Sequence, residues 1–291
     1  MRCDCHIHTV GPIGRYPQVA TRTYQAAEAP LAALKAHGAA RGVSRFVIVQ
    51  PSFYGFDNTL LLESLDALAG DGRGVAVIDA ATPEPLLADF VRRGVRGLRL
   101  NLYSTAAGQE LRHIGDLFTR LAEIAAGMGW HVEVIAGIDV LLDAAVLLAR
   151  SRVPVVIDHY GLYNHATPQS ERGRALLDLF RLPNIWIKLS APYRVSDDPL
   201  CTRPDSAWLA AIVAAAPGRC VWGSDWPHSP LHAPEGRADL QRPYRPLSYA
   251  TLVDDFLTAL GHDAAAQAIM IDNPARLYGF LSHMGLEQHG L

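Results

Sequence analysis

The feature that most limits what this chain can fold into is an alternation of short apolar runs with longer helical stretches, repeated eight times with no break in composition. The runs at residues 3–9, 46–50, 74–79, 97–103, 130–135, 153–159, 185–190 and 220–225 read as strands. Between them, residues 30–41, 59–69, 83–93, 110–127, 138–150, 171–181 and 205–216 read as helices, followed after the last strand by 248–260, 263–271 and 274–283. The stretch 110–127 carries Leu111, Ile114, Leu117, Phe118, Leu121 and Ile124 at helical spacing. Strands alternating with helices build parallel β-α-β units. Eight such units in 291 residues predict an α/β chain folded as a single (β/α)8 TIM barrel over residues 1–291 with a C-terminal helical extension. A doubly wound open sheet is the alternative, but six units would suffice for it, and no Gly-x-Gly-x-x-Gly turn follows the first strand.

Composition narrows the function. Hydrophobic residues make up 49% and charged residues 19%, as in globular proteins. The 26 basic and 29 acidic residues give a net charge of −3 with no basic run, which leaves no electrostatic case for nucleic-acid or membrane partners. No stretch has the length of apolar sequence that a membrane span needs. The four cysteines lack paired C-x-x-C spacing and no targeting segment is visible, so reduced thiols in the cytoplasm are the expectation. A small-molecule substrate is the expected partner, and a homo-oligomer is left open.

In a barrel of this kind the active site lies at the C-terminal ends of the strands. The first strand, Cys3-Asp-Cys-His-Ile-His-Thr9, places Asp4, His6 and His8 on one face by simple alternation and Cys3, Cys5 and Ile7 on the other. Two imidazoles on one face suit either metal ligation or proton transfer. Strand four adds Arg99 and Asn101, strand five Glu133 with His131 in phase, strand six His159, strand seven Lys188 and strand eight Asp225. Each has a structural alternative: Arg99 as an ion pair, Asp225 as a cap, His159 as a satisfied core histidine. Their accumulation at one end of several strands favours a site, because polar groups are costly to bury without purpose. Asp272-Asn-Pro274, by contrast, reads as a helix cap with proline in the first turn.

Asp4-Cys-His-Ile-His8, Val49-Gln-Pro-Ser with Asp57-Asn58, Gly97-Leu-Arg-Leu-Asn101, Val156-Ile-Asp-His159, Trp222-Gly-Ser-Asp-Trp-Pro-His228 and Asn273-Pro-Ala-Arg-Leu-Tyr278 together resemble the amidohydrolase superfamily, in the branch that contains pyrone-dicarboxylate and sugar-acid lactonases. The resemblance spans essentially the whole chain. It implies a barrel acting on a small lactone or related carboxylate, with Asp225 as general base. It also implies that His6, His8 and His159 either bind a metal or polarise the substrate without one. The strand-four end offers Arg99 and Asn101, and strand five offers Glu133 and then Ile135, which weakens a two-metal site. One divalent ion, zinc or manganese, on His6, His8, His159 and Asp225, joined by Glu133, stays open beside metal-free catalysis. No organic cofactor is implied. Arg99 and Arg194 match substrate-carboxylate arginines of the pyrone lactonase; a further arginine has no counterpart in Tyr103-Ser-Thr-Ala-Ala, so the dicarboxylated pyrone is not the first choice of substrate.

The chemistry expected is lactone hydrolysis. Asp225 would take a proton from water, and the histidines, with or without a metal, would stabilise the oxyanion. Arg99, Asn101 and Arg194 would hold the substrate, and Tyr54, Asp57, Asn58, Tyr160, Tyr193 and His228, in loops expected to ring the mouth, would read its hydroxyl groups. Lactone isomerisation, decarboxylation and non-catalytic sugar-acid binding are the competing readings.

Overall fold

The computed structural model describes residues 1–79, 81–103, 111–230 and 239–280. Eight parallel strands pair in chain order: β1 (Arg2–Ile7), β2 (Val43–Val49), β3 (Gly72–Ala76), β4 (Val95–Asn101), β5 (His131–Ile135), β6 (Val155–Ile157), β7 (Ile185–Ser190) and β8 (Cys220–Gly223). The first and last meet just beyond β8, where the His8 amide donates to the Trp226 carbonyl at 2.8 Å and the Asp225 amide to the His6 carbonyl at 2.9 Å. The sheet therefore closes into the expected (β/α)8 barrel. The helices α1 (Leu31–Ala39), α2 (Thr59–Leu68), α3 (Glu84–Arg92), α4 (Leu111–Met128), α5 (Ile138–Asp143), α6 (Ala145–Ala149), α7 (Glu171–Arg181) and α8 (Ser206–Ala215) lie between the strands, followed by α9 (Tyr249–Leu260), α10 (Asp263–Gln267) and α11 (Asn273–Tyr278).

Several expectations are corrected in detail. The stretch 138–150 is broken in two at Ala144, whose ψ of 0° interrupts the helical ladder. Asp272 caps nothing: the chain is already helical there, and its carboxylate accepts from Gln267, while the Asn273 side chain donates to the Cys220 carbonyl. The last helix stops at Tyr278, where Gly279 adopts φ 65°; the rest of the 274–283 run, from 281 on, lies outside the described residues, as do position 110 and part of the proline-rich 227–246 loop. Among the described residues no helix is long and apolar enough to cross a membrane. All four cysteines are free thiols.

Inside the barrel Cys3, Cys5, Val47, Val49, Val75, Val156, Trp186 and Val221 pack on Tyr278 and Phe280, which close the N-terminal mouth. The Arg73 guanidinium pins that plug by donating to the Tyr278 and Gly279 carbonyls. Here the simple alternation expected of β1 fails. Cys3 and Cys5 face inward, while Asp4 points outward and accepts from the Tyr249 hydroxyl on α9 at 3.0 Å. Along the β1/β2 ladder Asp4 pairs with Phe46 and Ile7 with Ile48, so β1 spends three steps against two. That extra residue is a β-bulge, and it flips the phase so that His6 and His8 also turn inward.

One glycine makes room for what the bulge delivers, and another for a ring on β5. A Cβ at Gly223 would lie 2.6 Å from His6 Cβ and 2.8 Å from its backbone nitrogen, and one at Gly97 would lie 2.3 Å from the His131 ring. Gly223→Ala should therefore lower stability by about 1–3 kcal/mol, the usual cost of overpacking, and displace His6. Chemical denaturation reads the first effect, and an unchanged midpoint would refute the close-approach argument.

Candidate active site

The side chains that cluster at the C-terminal end come from strand ends with unusual backbone. His159 (φ 50°) and Asp225 (φ 58°) both adopt the left-handed region directly after β6 and β8, a conformation that costs non-glycine residues about 1–2 kcal/mol each. The sharp turn at each strand end aims the side chain across the barrel instead of onward into the loop.

Asp225 is the centre. It is fully buried, and its Oδ2 accepts from the Tyr193 hydroxyl at 2.7 Å and from Arg194 Nε at 2.8 Å, with Arg194 Nη2 2.7 Å away. Its Oδ1 makes no hydrogen bond among the described residues and faces His8 Nε2 at 3.4 Å and His6 Nε2 at 3.6 Å. Burial alone would raise this carboxyl, but Arg194, His159, His8 and His6 outweigh it and hold it well below the usual carboxylate range. His159 Nδ1 is 2.9 Å from the Ser190 hydroxyl, and its ring lies 4.7 Å from that of His6. Burial, only partly offset by Asp225, lowers the His159 imidazole to about 4, so it is neutral at pH 7.

Beneath this layer lies a second cluster that the sequence displayed only in part. Lys188 is completely buried, pairs with Glu133 Oε2, and reaches His6 Nδ1 at 3.2 Å and Asp158 Oδ1 at 3.6 Å. Burial and Asp158 push the Glu133 carboxyl up, and Lys188 leads the groups that return it to below its ordinary value. Alternation assigns one inward residue to this strand end, His159, and so gives no signal for Asp158. The left-handed turn at His159 lets both contribute.

Above the layer a narrow cleft opens to solvent, lined by His8, His159, Arg99, Asn101 and Arg194 together with Tyr24, Ser52, Phe53, Tyr103, Ile135 and Ser229. A roomier groove between the turns after β6 and β7 is lined by Tyr163, His165 and Asp197 but by none of the clustered histidines. Arg99 is anchored by donating to the Gln50 carbonyl at 2.7 Å, and Asn101 Oδ1 accepts from the Tyr103 amide at 3.1 Å.

Other expected site residues lie elsewhere. The Tyr54 hydroxyl accepts from the Gly11 amide; Asp57 accepts from the Thr59 amide at the start of α2; Asn58 ties the Phe56 and Val77 backbones together. These polar groups are used in fixing the loop, and Ser52 and Phe53 reach the cleft in their place. Tyr160 is packed in the apolar core between sheet and helices. His228 lies behind Tyr193 and borders a separate cleft near Tyr244 and Arg245. Arg194 reaches the cleft but is turned onto Asp225 and is not left open for a substrate carboxylate.

His6 Nε2, His8 Nε2 and Asp225 Oδ1 lie within 4.8 Å of one another. Ligand atoms about 3.4 Å apart match the edge of a tetrahedron with metal bonds of about 2.1 Å, so their positions fit one divalent ion. His8 is oriented for ligation, since its Nδ1 can only donate to the Val49 carbonyl at 2.7 Å, leaving the Nε2 lone pair inward. Glu133, expected as a further ligand, is instead committed to Lys188.

The sequence profile of the Amidohydrolase family matches residues 3–280. The chain belongs to the amidohydrolase family. It is 29% identical over 280 residues to the 4-sulfomuconolactone hydrolase of Hydrogenophaga intermedia, covering 95% of this chain and 88% of that one. It is 28% identical to the 2-pyrone-4,6-dicarboxylate hydrolase of Comamonas testosteroni, covering 94% and 89%. Among solved structures, the putative 2-pyrone-4,6-dicarboxylic acid hydrolase of Pseudomonas putida superposes with a TM-score of 0.77 at 30% identity, covering 97% of this chain and 98% of that one. As an amidohydrolase it is an enzyme.

The buried imidazoles set a pH signature. Burial also lowers His228 to about 4, against an ordinary 6.5. In the window between those values the unfolded chain binds the proton and the native state does not, so stability is full above 6.5 and falls as pH drops toward 4. Comparing wild type with His228→Gln cancels every other titrating group. Wild type should lose about 2 kcal/mol more unfolding free energy than the variant between pH 7 and pH 4.5; parallel pH profiles would refute a buried neutral His228.

Proposed function

We propose that this amidohydrolase hydrolyses a small carboxylated lactone, with Asp225 as the general base. The observation that carries the reading is Asp225 itself: one carboxylate oxygen clamped by Arg194 and Tyr193, the other directed at His6 and His8 beneath a cleft bearing Arg99. The lactone-hydrolase descriptions of the two curated relatives point the same way.

Asp225 Oδ1 takes a proton from water as the water oxygen attacks the lactone carbonyl; the tetrahedral intermediate then collapses with cleavage of the ring C–O bond, and the protonated Asp225 returns its proton to the leaving alkoxide oxygen. His159, neutral and held through Nδ1 by Ser190, offers Nε2–H to the carbonyl oxygen as negative charge develops there. Arg99 holds the substrate carboxylate. Bringing that carboxylate to Arg99, across the same cleft, adds negative charge near Asp225 and raises its basicity, offsetting the depression that Arg194 imposes in the free site. By position alone, His6, His8 and Asp225 with His159 beside them are the residues that would hold a divalent ion, zinc or manganese, were one bound, and it would supply Lewis-acid polarisation of the carbonyl. Sugar-acid lactones and muconolactone-like acids are the substrate classes this reading names.

A panel of aldonic, aldaric, uronic and muconate-type lactones followed with a pH indicator tests this directly, because hydrolysis releases a proton and isomerisation does not. On the best substrate Asp225→Asn should cost about 100-fold or more in kcat, and Arg99→Met about 10–100-fold in kcat/KM, the worth of a charged hydrogen bond. Wild-type turnover by Asp225→Asn would rule out the assigned base.

A further inference from the structure

Lys188 is one of two lysines in the chain and the only buried one among the described residues. An ammonium carries three N–H donors and no acceptor. Here it donates to Glu133 Oε2 and to His6 Nδ1 at 3.2 Å and lies 3.6 Å from Asp158 Oδ1. The alternative partner for His6 Nδ1 is Asp158 Oδ1 at 3.3 Å, but that contact lacks hydrogen-bond geometry, and neither Asp158 oxygen makes a hydrogen bond among the described residues. With Lys188 as an ammonium, which has no lone pair to accept with, the 3.2 Å contact calls for His6 Nδ1 as acceptor, and a neutral imidazole that accepts at Nδ1 carries its own proton at Nε2.

The consequence falls on the receptacle formed by His6 Nε2, His8 Nε2 and Asp225 Oδ1. Three lone pairs converging on one point hold a cation. Two lone pairs and one N–H hold a water, which donates to Asp225 Oδ1 and to His8 Nε2 and accepts from His6 Nε2–H. His8 is fixed as an acceptor by the Val49 carbonyl and Asp225 is a carboxylate, so the His6 proton alone decides between the two. We propose that Lys188 is a positioning residue whose ammonium fixes the Nε2–H tautomer of His6 and thereby makes this receptacle a site for the attacking water and not for a divalent cation. Only the naming of that water as the nucleophile rests on the lactonase reading; the tautomer and the cation preference do not.

Long-range ¹H–¹⁵N correlation of the histidine rings in the full-length protein reads the tautomer without any substitution, with His6 assigned through His6→Asn. His6 should give the Nε2–H pattern and His8 the Nδ1–H pattern; an Nδ1–H pattern for wild-type His6 would overturn the proposal. Zinc titration provides the second measurement. Lys188→Met combined with Glu133→Gln removes one positive and one negative charge together, so that a change in affinity is not a bulk electrostatic effect. This variant should bind zinc at least tenfold more tightly than wild type, the scale on which a partner of a ligating histidine acts, with His6 shifting to Nδ1–H. Equal zinc affinity in the two proteins, or near-stoichiometric zinc retained by the wild type as purified, would overturn it. Failure of every lactone in the panel would sink the substrate reading and leave both measurements standing.

Discussion

Everything at the top of this barrel depends on the neutralisation of buried carboxylates. Asp225, Glu133 and Asp158 are all within 1% of complete burial, where an unpaired carboxylate costs several kcal/mol. Two cations answer them: Arg194 from the turn after β7 takes Asp225, and Lys188 from β7 itself takes Glu133 and reaches Asp158. The chemistry differs between the levels. Guanidinium grips a single carboxylate oxygen through two nitrogens and leaves the other oxygen for reaction, whereas the compact ammonium hydrogen-bonds Glu133 and His6 and lies 3.6 Å from Asp158. His6 stands between the levels and touches both, which is why burial and the nearby Lys188 ammonium together keep its imidazole well below an ordinary histidine.

That arrangement needs backbone irregularity. A regular β1 would send His6 and His8 to the same side as Asp4, and the Asp4 carboxylate binds the Ser224 amide and the Tyr249 hydroxyl on the outer face. The bulge lets one strand serve both sides: Asp4 ties β1 to β8 and α9, while the histidines enter the barrel. The price is a crowded seam with β8, and Gly223 resolves it by having no side chain where His6 passes. Bulge, glycine and left-handed strand ends are parts of one solution to bringing several buried polar groups to a common point.

The eight strands, their order and the barrel end at which the buried histidines and Asp225 gather were legible in the sequence, because apolar runs at regular spacing and parallel β-α-β connection rules leave few topologies. His6, His8, His159 and Asp225 were legible as a set for the same reason. Their orientation was not. Period-two alternation was applied to β1 as though every residue took one step, and a bulge has no local composition signal in Cys-Asp-Cys-His-Ile-His. Loop residues fared worst: Tyr54, Asp57 and Asn58 carry groups that could read a substrate, yet short polar side chains in loops first satisfy nearby backbone amides and carbonyls, and here they do so. Arg194 was found, but its partner was not, since a sequence names a cation without saying which anion is nearest.

The same limit reaches the chemistry. Two histidines and an aspartate name three atoms that can converge, and their positions alone are compatible with a metal or with a water. What separates the two outcomes is one proton on His6, and its location is dictated from below by a residue that touches neither substrate nor water. A chain carrying the same three residues over an apolar side chain or a carboxylate at position 188 would present three lone pairs to the same space. The identity of strand-end residues therefore fixes where this barrel reacts, while the layer beneath them fixes which kind of nucleophile-binding site it is.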